Sequence, residues 1–272
     1  MPRGVSAVDE ARLQRRLWTP TIIAPALWFD AADAATITTV SGAVSQWNDK
    51  SGNARHYVQN TSANRPTYES AVQNNLNAVR IANTGTTRQF VDNTSFSFSG
   101  TQISLFSVHR NSANPTLGTP NVYGRLFSFA ASAQNDYDNT NGLILVYGVS
   151  SGISLYRNNA TIASTSAIND QWLLVSAERN GTAGRISLNG GTFTTGTTSS
   201  ASQGITRSRI GNDFVAADSG MLGWIGEQVV VFGALSDADW ERLQGYAAHR
   251  WGLTASLPAG HPYRNRPPLI GD

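Results

Sequence analysis

The sequence predicts an all-β fold, an antiparallel β-sandwich of the jelly-roll type with an N-terminal helical or extended arm and one C-terminal helix. Three observations carry that expectation. Hydrophobic residues make up 40% of the 272 residues and charged residues only 14%, while 25 glycines and abundant Ser, Thr and Asn supply turns. That composition suits many short strands better than a helical bundle. Between residues 26 and 232, short apolar runs alternate with turn signals and no helical period of useful length occurs. A single helix-period stripe then follows near the C-terminus.

The first 25 residues differ from the rest. Ser6 and Asp9 have capping-box-like spacing, a basic stretch with Arg12, Arg15 and Arg16 follows, and Pro20 and Pro25 end the pattern. The spacing predicts a short basic helix and then an extended arm. Its apolar stripe of Val8, Leu13, Leu17 and Trp18 is partial, and so short a helix is marginal in water without something to dock on. Arg12, Arg15, Arg16, Leu17 and Trp18 are therefore candidate assembly contacts, either on the chain's own domain or on a partner subunit.

The clearest strand lies at 185–189, where Ile186 and Leu188 point one way and Arg185, Ser187 and Asn189 the other, ending in the hairpin dipeptide Asn189-Gly190. Ile153 and Leu155 repeat the alternation before Asn158-Asn159. Further strands are predicted at 78–82, 103–110, 124–130, 143–147, 172–178, 205–211 and 224–232. Many antiparallel strands without intervening helices favour a sandwich or jelly roll. The closing helix starts at the capping pair Ser236 and Asp239, carries His249 and Arg250 in its last turn and stops at Gly252. Trp240, Leu243, Ala247 and Trp251 form its apolar stripe. Four prolines between 257 and 272 predict an extended tail.

Several classes are disfavoured. A formal charge of +2 gives no long-range field for nucleic acid. The absence of cysteine rules out disulfides and thiolate metal sites. No apolar run approaches 18 residues, and the first 16 lack a signal-peptide core, so the expectation is a chain made in the cytoplasm, without Sec export or membrane insertion.

Several separated segments resemble one superfamily. "ALWFDAADAATIT" followed by "VSQWNDKSGNARH" is similar to the opening signature of the laminin-G-like subgroup of concanavalin A-like lectins and glucanases, with Trp28, Asp30, Trp47, Asp49, Ser51, Gly52 and Asn53 at the signature positions. "WLLVSAERNGTAGRISLNGG" resembles its paired strands, and "GWIGEQVVVFGALSDADWERLQGYAAHRWGL" its last strand and closing helix. The tail "LPAGHPYRNRPP" looks like one that follows this domain in phage structural proteins. The resemblance implies an arm over 1–25, a lectin-like jelly roll over 26–255 and a tail over 256–272. It further implies a non-enzymatic virion protein of a tailed phage, forming a homo-oligomer. In that setting the arm would dock on other virion subunits, and the domain would bind host-surface glycan or decorate the capsid. The alternative is a bacterial carbohydrate-binding module or glycosidase.

Glucanases of this superfamily carry a Glu-x-Asp-x-Glu or Glu-x-Asp-x-x-Glu run, which sets an acid and a nucleophile on one strand face. None of the five glutamates here stands in such a run, hence the non-enzymatic expectation. The four histidines show no zinc spacing. Calcium is the one cofactor the pattern admits, with Asp136, Asp138 and Asn141 in "NDYDNTNG" joined by Asp213 from another loop. Tyr137 beside Asp136, Asp138 and Asn139 combines an aromatic face with polar groups and is the candidate glycan loop. The plainer alternative is that these Asp and Asn side chains hydrogen-bond their own turns. Trp28 and Trp47 are expected in the core.

Overall fold

The computed structural model describes residues 16–83, 87–112, 123–132, 134–137, 141–148, 152–166, 170–214 and 220–272. Arg12, Arg15, Asp138 and Asn139 lie outside these residues. The chain is nearly all β, in large antiparallel sheets, with one α-helix among the described residues.

Two runs of hydrogen-bonded strands can be followed. The first passes from Thr194–Thr197 through Ala183–Leu188, Trp172–Asn180 and Gln102–Asn111 to Leu222–Val231, which pairs in turn with Leu27–Asp30 and Leu76–Ala82. The second passes from Ala160–Thr165 through Gly152–Arg157, Leu143–Gly148, Tyr123–Ala130, Arg207–Ile210, Val91–Asn93 and Tyr57–Val58 to Ala43–Trp47. Each of these pairs is antiparallel.

Strand side chains alternate between faces, and that alternation sorts the interior into two cores. Ile103 and Leu105, with Leu173, Val175 and Ala177, join Leu143, Leu145, Ile153 and Leu155 of the second run in one cluster. Phe106 and Val108, with Trp172 and Leu174, face the other way into a second cluster under the helix. The central strands of the first run are thus covered on both faces, which is why Trp172–Asn180 opens on a continuous apolar stretch, Trp172 to Val175.

The helix, α1, spans Asp237–Trp251. The Ser236 Oγ accepts the Asp239 N–H at 3.1 Å, and Gly252 ends the helix at φ 69°. Trp240, Leu243, Ala247 and Trp251 are all buried against the outer face of the first run.

The two terminal segments pair with each other, and both depart in part from the extended course expected of them. The described end of the arm packs on its own domain: Trp18 N–H donates to the Pro268 carbonyl at 3.0 Å, Ile270 N–H to the Arg16 carbonyl at 2.9 Å, and Leu17 bridges Leu269. Trp18 is buried beside Tyr246, while Leu17 stays exposed. Pro20–Ile23 forms a short 3₁₀ turn within the stretch expected as extended. The tail folds back through turns instead of extending, and it buries Leu257, His261 and Tyr263. Gly190 makes room for it, since a Cβ there would lie 2.9 Å from both His261 and Leu257.

Candidate functional site

A cavity of about 490 Å³ opens where the arm, the strand Leu27–Asp30, α1 and the tail meet. Trp18, Trp28 and Tyr246 supply its aromatic walls, and Asp30, Lys50 and Arg250 its charged groups. Its size falls within the range of small-ligand sites, about 300–1,000 Å³.

The local sequence explains how these groups converge. Leu27 and Phe29 enter the inner core, so Trp28 and Asp30 face α1. On the neighbouring strand the register to Gln102–Asn111 shifts between Ile225 and Glu227. That bulge turns Glu227 toward α1 although Ile225, two residues earlier, faces the inner core. Gly226 at the bulge lets the Trp251 ring lie against the backbone, since a Cβ there would meet it at 2.6 Å.

Asp30 and Glu227 are cross-strand partners, and both are fully buried. The Asp30 carboxylate accepts from Lys50 Nζ at 2.9 Å, Arg250 at 2.7 Å and the Ala32 N–H at 3.0 Å. Lys50 also reaches Asp33 at 2.8 Å and lies 4.5 Å from the centre of the Trp28 ring. Beneath the aromatic walls, Glu227 accepts from Trp28 Nε1 at 2.7 Å, Trp251 Nε1 at 2.9 Å and the Tyr246 hydroxyl at 3.0 Å.

Burial and the Asp30 charge push the Glu227 carboxyl up to about 7, against the pull of Arg250 and the two indole donors. Burial opposes the Lys50 ammonium, but its hydrogen bonds to Asp33 and Asp30 hold its pKa above the ordinary value. The arrangement is an acid with a raised pKa beside an aspartate that is ion-paired with Lys50 and Arg250, roofed by aromatic rings. Such paired environments are where acid and base roles separate.

The loop singled out by sequence has a different chemistry. Asp136 is buried and forms a two-point ion pair with Arg125, at 2.7 Å to Nε and 3.3 Å to a terminal nitrogen, and also accepts from Ser128 Oγ at 2.8 Å. The Tyr137 ring lies 4.7 Å from the same guanidinium. Asp213 adds to the negative field around Arg125 and accepts from Arg88 at 3.3 Å. Asp136 and Tyr137 thus meet at a buried guanidinium, with Asp213 contributing at longer range to its negative surroundings. Asn141 is directed elsewhere: it accepts the Gly204 N–H at 2.7 Å and donates to Gln134 at 3.2 Å. Among the described residues no group of three or more His, Asp or Glu side chains is placed to hold a metal ion. On the same face Arg209 pairs with Asp92 at 2.5 Å and Arg207 lies 4.0 Å from the centre of the Phe214 ring.

Of the signature residues, Trp28 and Asp30 line the cavity, whereas Asp49 and Trp47 are structural. Asp49 accepts from the backbone of Trp28, Ser51 and Arg55 and from Ser51 Oγ, which closes its turn and pins the strand carrying Trp28. Trp47 is fully buried in the inner core. Sequence reasoning placed Trp28, Asp30, Glu227, Tyr246 and Arg250 within motifs but did not join them into a site. The signal was a carboxylate, Glu227, inside the largely apolar last strand.

The sequence matches no protein-family model and no curated protein. Its fold is found in solved structures. An arabinofuranosidase complexed with arabinofuranosyl-α-1,2-xylobiose is similar over 74% of this chain, at 14% identity and a TM-score of 0.54. The match covers 50% of that enzyme, so this chain spans about half its length. Domain 4 of AbnA, a GH43 extracellular arabinanase from Geobacillus stearothermophilus in complex with arabinotriose, is similar over 79% of this chain and 95% of the domain, at 15% identity and a TM-score of 0.52. The binding domain of Paraclostridial Mosquitocidal Protein 1 matches 77% of this chain and 51% of its own, at 12% identity and a TM-score of 0.53. The non-enzymatic expectation is corrected by these likenesses. The fold recurs in chains of glycoside hydrolases, so the missing Glu-x-Asp-x-Glu run does not exclude catalysis here. These likenesses give a lectin-like or glycosidase-associated β fold, without marking it as that of a phage particle.

Proposed function

We propose that this chain is a carbohydrate-binding domain with a lectin-like jelly-roll sandwich, and that it seats an oligosaccharide in the cavity between the arm, α1 and the strand Leu27–Asp30. The observation that carries the reading is the pairing of aromatic walls, Trp18, Trp28 and Tyr246, with the charged groups Asp30, Lys50 and Arg250 in one cavity. Sugars present apolar C–H faces and vicinal hydroxyls, and such a cavity offers rings for the first and charged hydrogen-bonding groups for the second. The recurrence of the fold in a domain solved with arabinotriose supports the ligand class.

Calorimetric titration with arabino- and xylo-oligosaccharides tests the proposal. Binding is expected in the wild type, and Lys50→Met is expected to weaken it about tenfold, the loss of one charge-assisted hydrogen bond. No heat with any oligosaccharide, or equal binding by wild type and variant, counts against it.

A second reading, glycoside hydrolysis, is favoured by the opposed carboxylates Asp30 and Glu227, of which one is protonated up to about pH 7. Release of reducing ends from arabinan by the wild type, lost in Asp30→Asn, supports it. No release at any pH removes it and leaves the binding reading intact.

A further inference from the structure

Among the described residues, two arginines at one end of the inner core have no carboxylate partner. Arg157 ends the strand Gly152–Arg157 and follows Ile153 and Leu155 on the core-facing side; Arg179 follows Leu173, Val175 and Ala177 in the same way. They are 1% and 0% exposed. Both donate to the Ala201 carbonyl oxygen at 2.8 Å, so these two donor nitrogens lie within twice that distance of each other.

Their remaining partners are neutral. Arg157 donates to Ser199 Oγ, and Arg179 donates to the Ser199 carbonyl at 3.0 Å and to Gln203 Oε1 at 2.6 Å. Neither makes an ion pair with a described residue, and both Nε–H groups are buried without a hydrogen-bond partner. Burial depresses both pKa values, and the neighbouring Arg157 charge lowers Arg179 further, to about 10. Arg125 is the internal contrast: equally buried, it is neutralised by Asp136. An uncompensated buried ion is costly, and two like ions side by side more so.

We propose that Arg157 and Arg179 together bind a small inorganic anion of chloride size, with the two unpartnered Nε–H groups as donors. The site is independent of the carbohydrate cavity and shares no residue with it. Its ligand supplies the negative charge that no described residue places there, and binding is linked to folding because the unfolded chain has no such pair.

Thermal unfolding in sodium chloride against sodium gluconate at equal ionic strength tests this, because gluconate is too bulky for the site. The wild type is expected to gain about 2–4 °C in Tm at roughly five times the chloride Kd, saturably. Arg179→Gln is expected to lose the chloride dependence while melting no lower than the wild type in gluconate, an outcome that a merely structural arginine would not give. Crystals of the wild type soaked in bromide are expected to show an anomalous peak between the two side chains, a readout that stands even where the variant does not fold. Identical wild-type melting in chloride and gluconate, stabilisation by sulfate alone, retained chloride dependence in Arg179→Gln, or absence of the bromide peak would each overturn the proposal.

Discussion

Asp30 and Glu227 face one another across adjacent antiparallel strands, both fully buried on the side of the sheet that α1 covers. Asp30 is held by Lys50 and Arg250; Glu227 is surrounded by indole and phenol donors and carries a raised pKa. The asymmetry follows from what each carboxyl touches, and it makes stability depend on pH.

Glu227 titrates at about 7 in the fold against an ordinary 4.5. Between those values the folded state holds one proton more than the unfolded, so stability falls as pH rises, by up to roughly 3 kcal/mol across the window. His109 acts in the opposite sense: burial lowers it from 6.5 to about 3, so the unfolded state binds the extra proton and stability is lost as pH falls through that range. The two slopes offset each other between pH 4.5 and 6.5. Urea unfolding at a series of pH values should therefore give a nearly flat profile there in the wild type, a rising one in Glu227→Gln and a falling one in His109→Leu.

Asp136→Ala leaves the Arg125 guanidinium buried without its partner. Breaking a buried pair from one side costs about 3–5 kcal/mol, and chemical denaturation should register a loss of that order. A change within experimental error would mean that Arg125 finds another anion.

Gly226→Ala places a methyl against the Trp251 ring. Overpacking of this kind costs about 1–3 kcal/mol. Because Trp251 Nε1 holds Glu227, the same variant should also alter the pH profile above neutrality. Unchanged stability with an unchanged profile would show that the bulge does not position the carboxylate.

The sequence was most legible where local rules act alone. The Ser236 cap, the Gly252 stop and the stripe from Trp240 to Trp251 marked α1, and alternation marked Ala183–Leu188 and Gly152–Arg157. Tyr57–Val58, Val91–Asn93 and Phe98–Gly100 are two or three residues long and carry no readable period; pairing across the sheet makes them strands. The cavity between the arm and α1 was illegible for two reasons. The Trp28–Glu227 hydrogen bond spans 199 positions of sequence, and the bulge at Gly226 reverses the face that simple alternation would assign to Glu227. The loop at Asp136 was misleading in the opposite way. Its acidic residues suggested a cation ligand set, while the positive charge came from Arg125, eleven residues earlier in the chain.

The most direct measurement is a crystal structure of the protein soaked with an arabino-oligosaccharide that binds in solution. Sugar density packed against Trp18, Trp28 and Tyr246, with hydroxyls within hydrogen-bond distance of Lys50 or Asp30, is the predicted result. Sugar seated instead on the face of Arg207 and Phe214, with the cavity unoccupied, would contradict it.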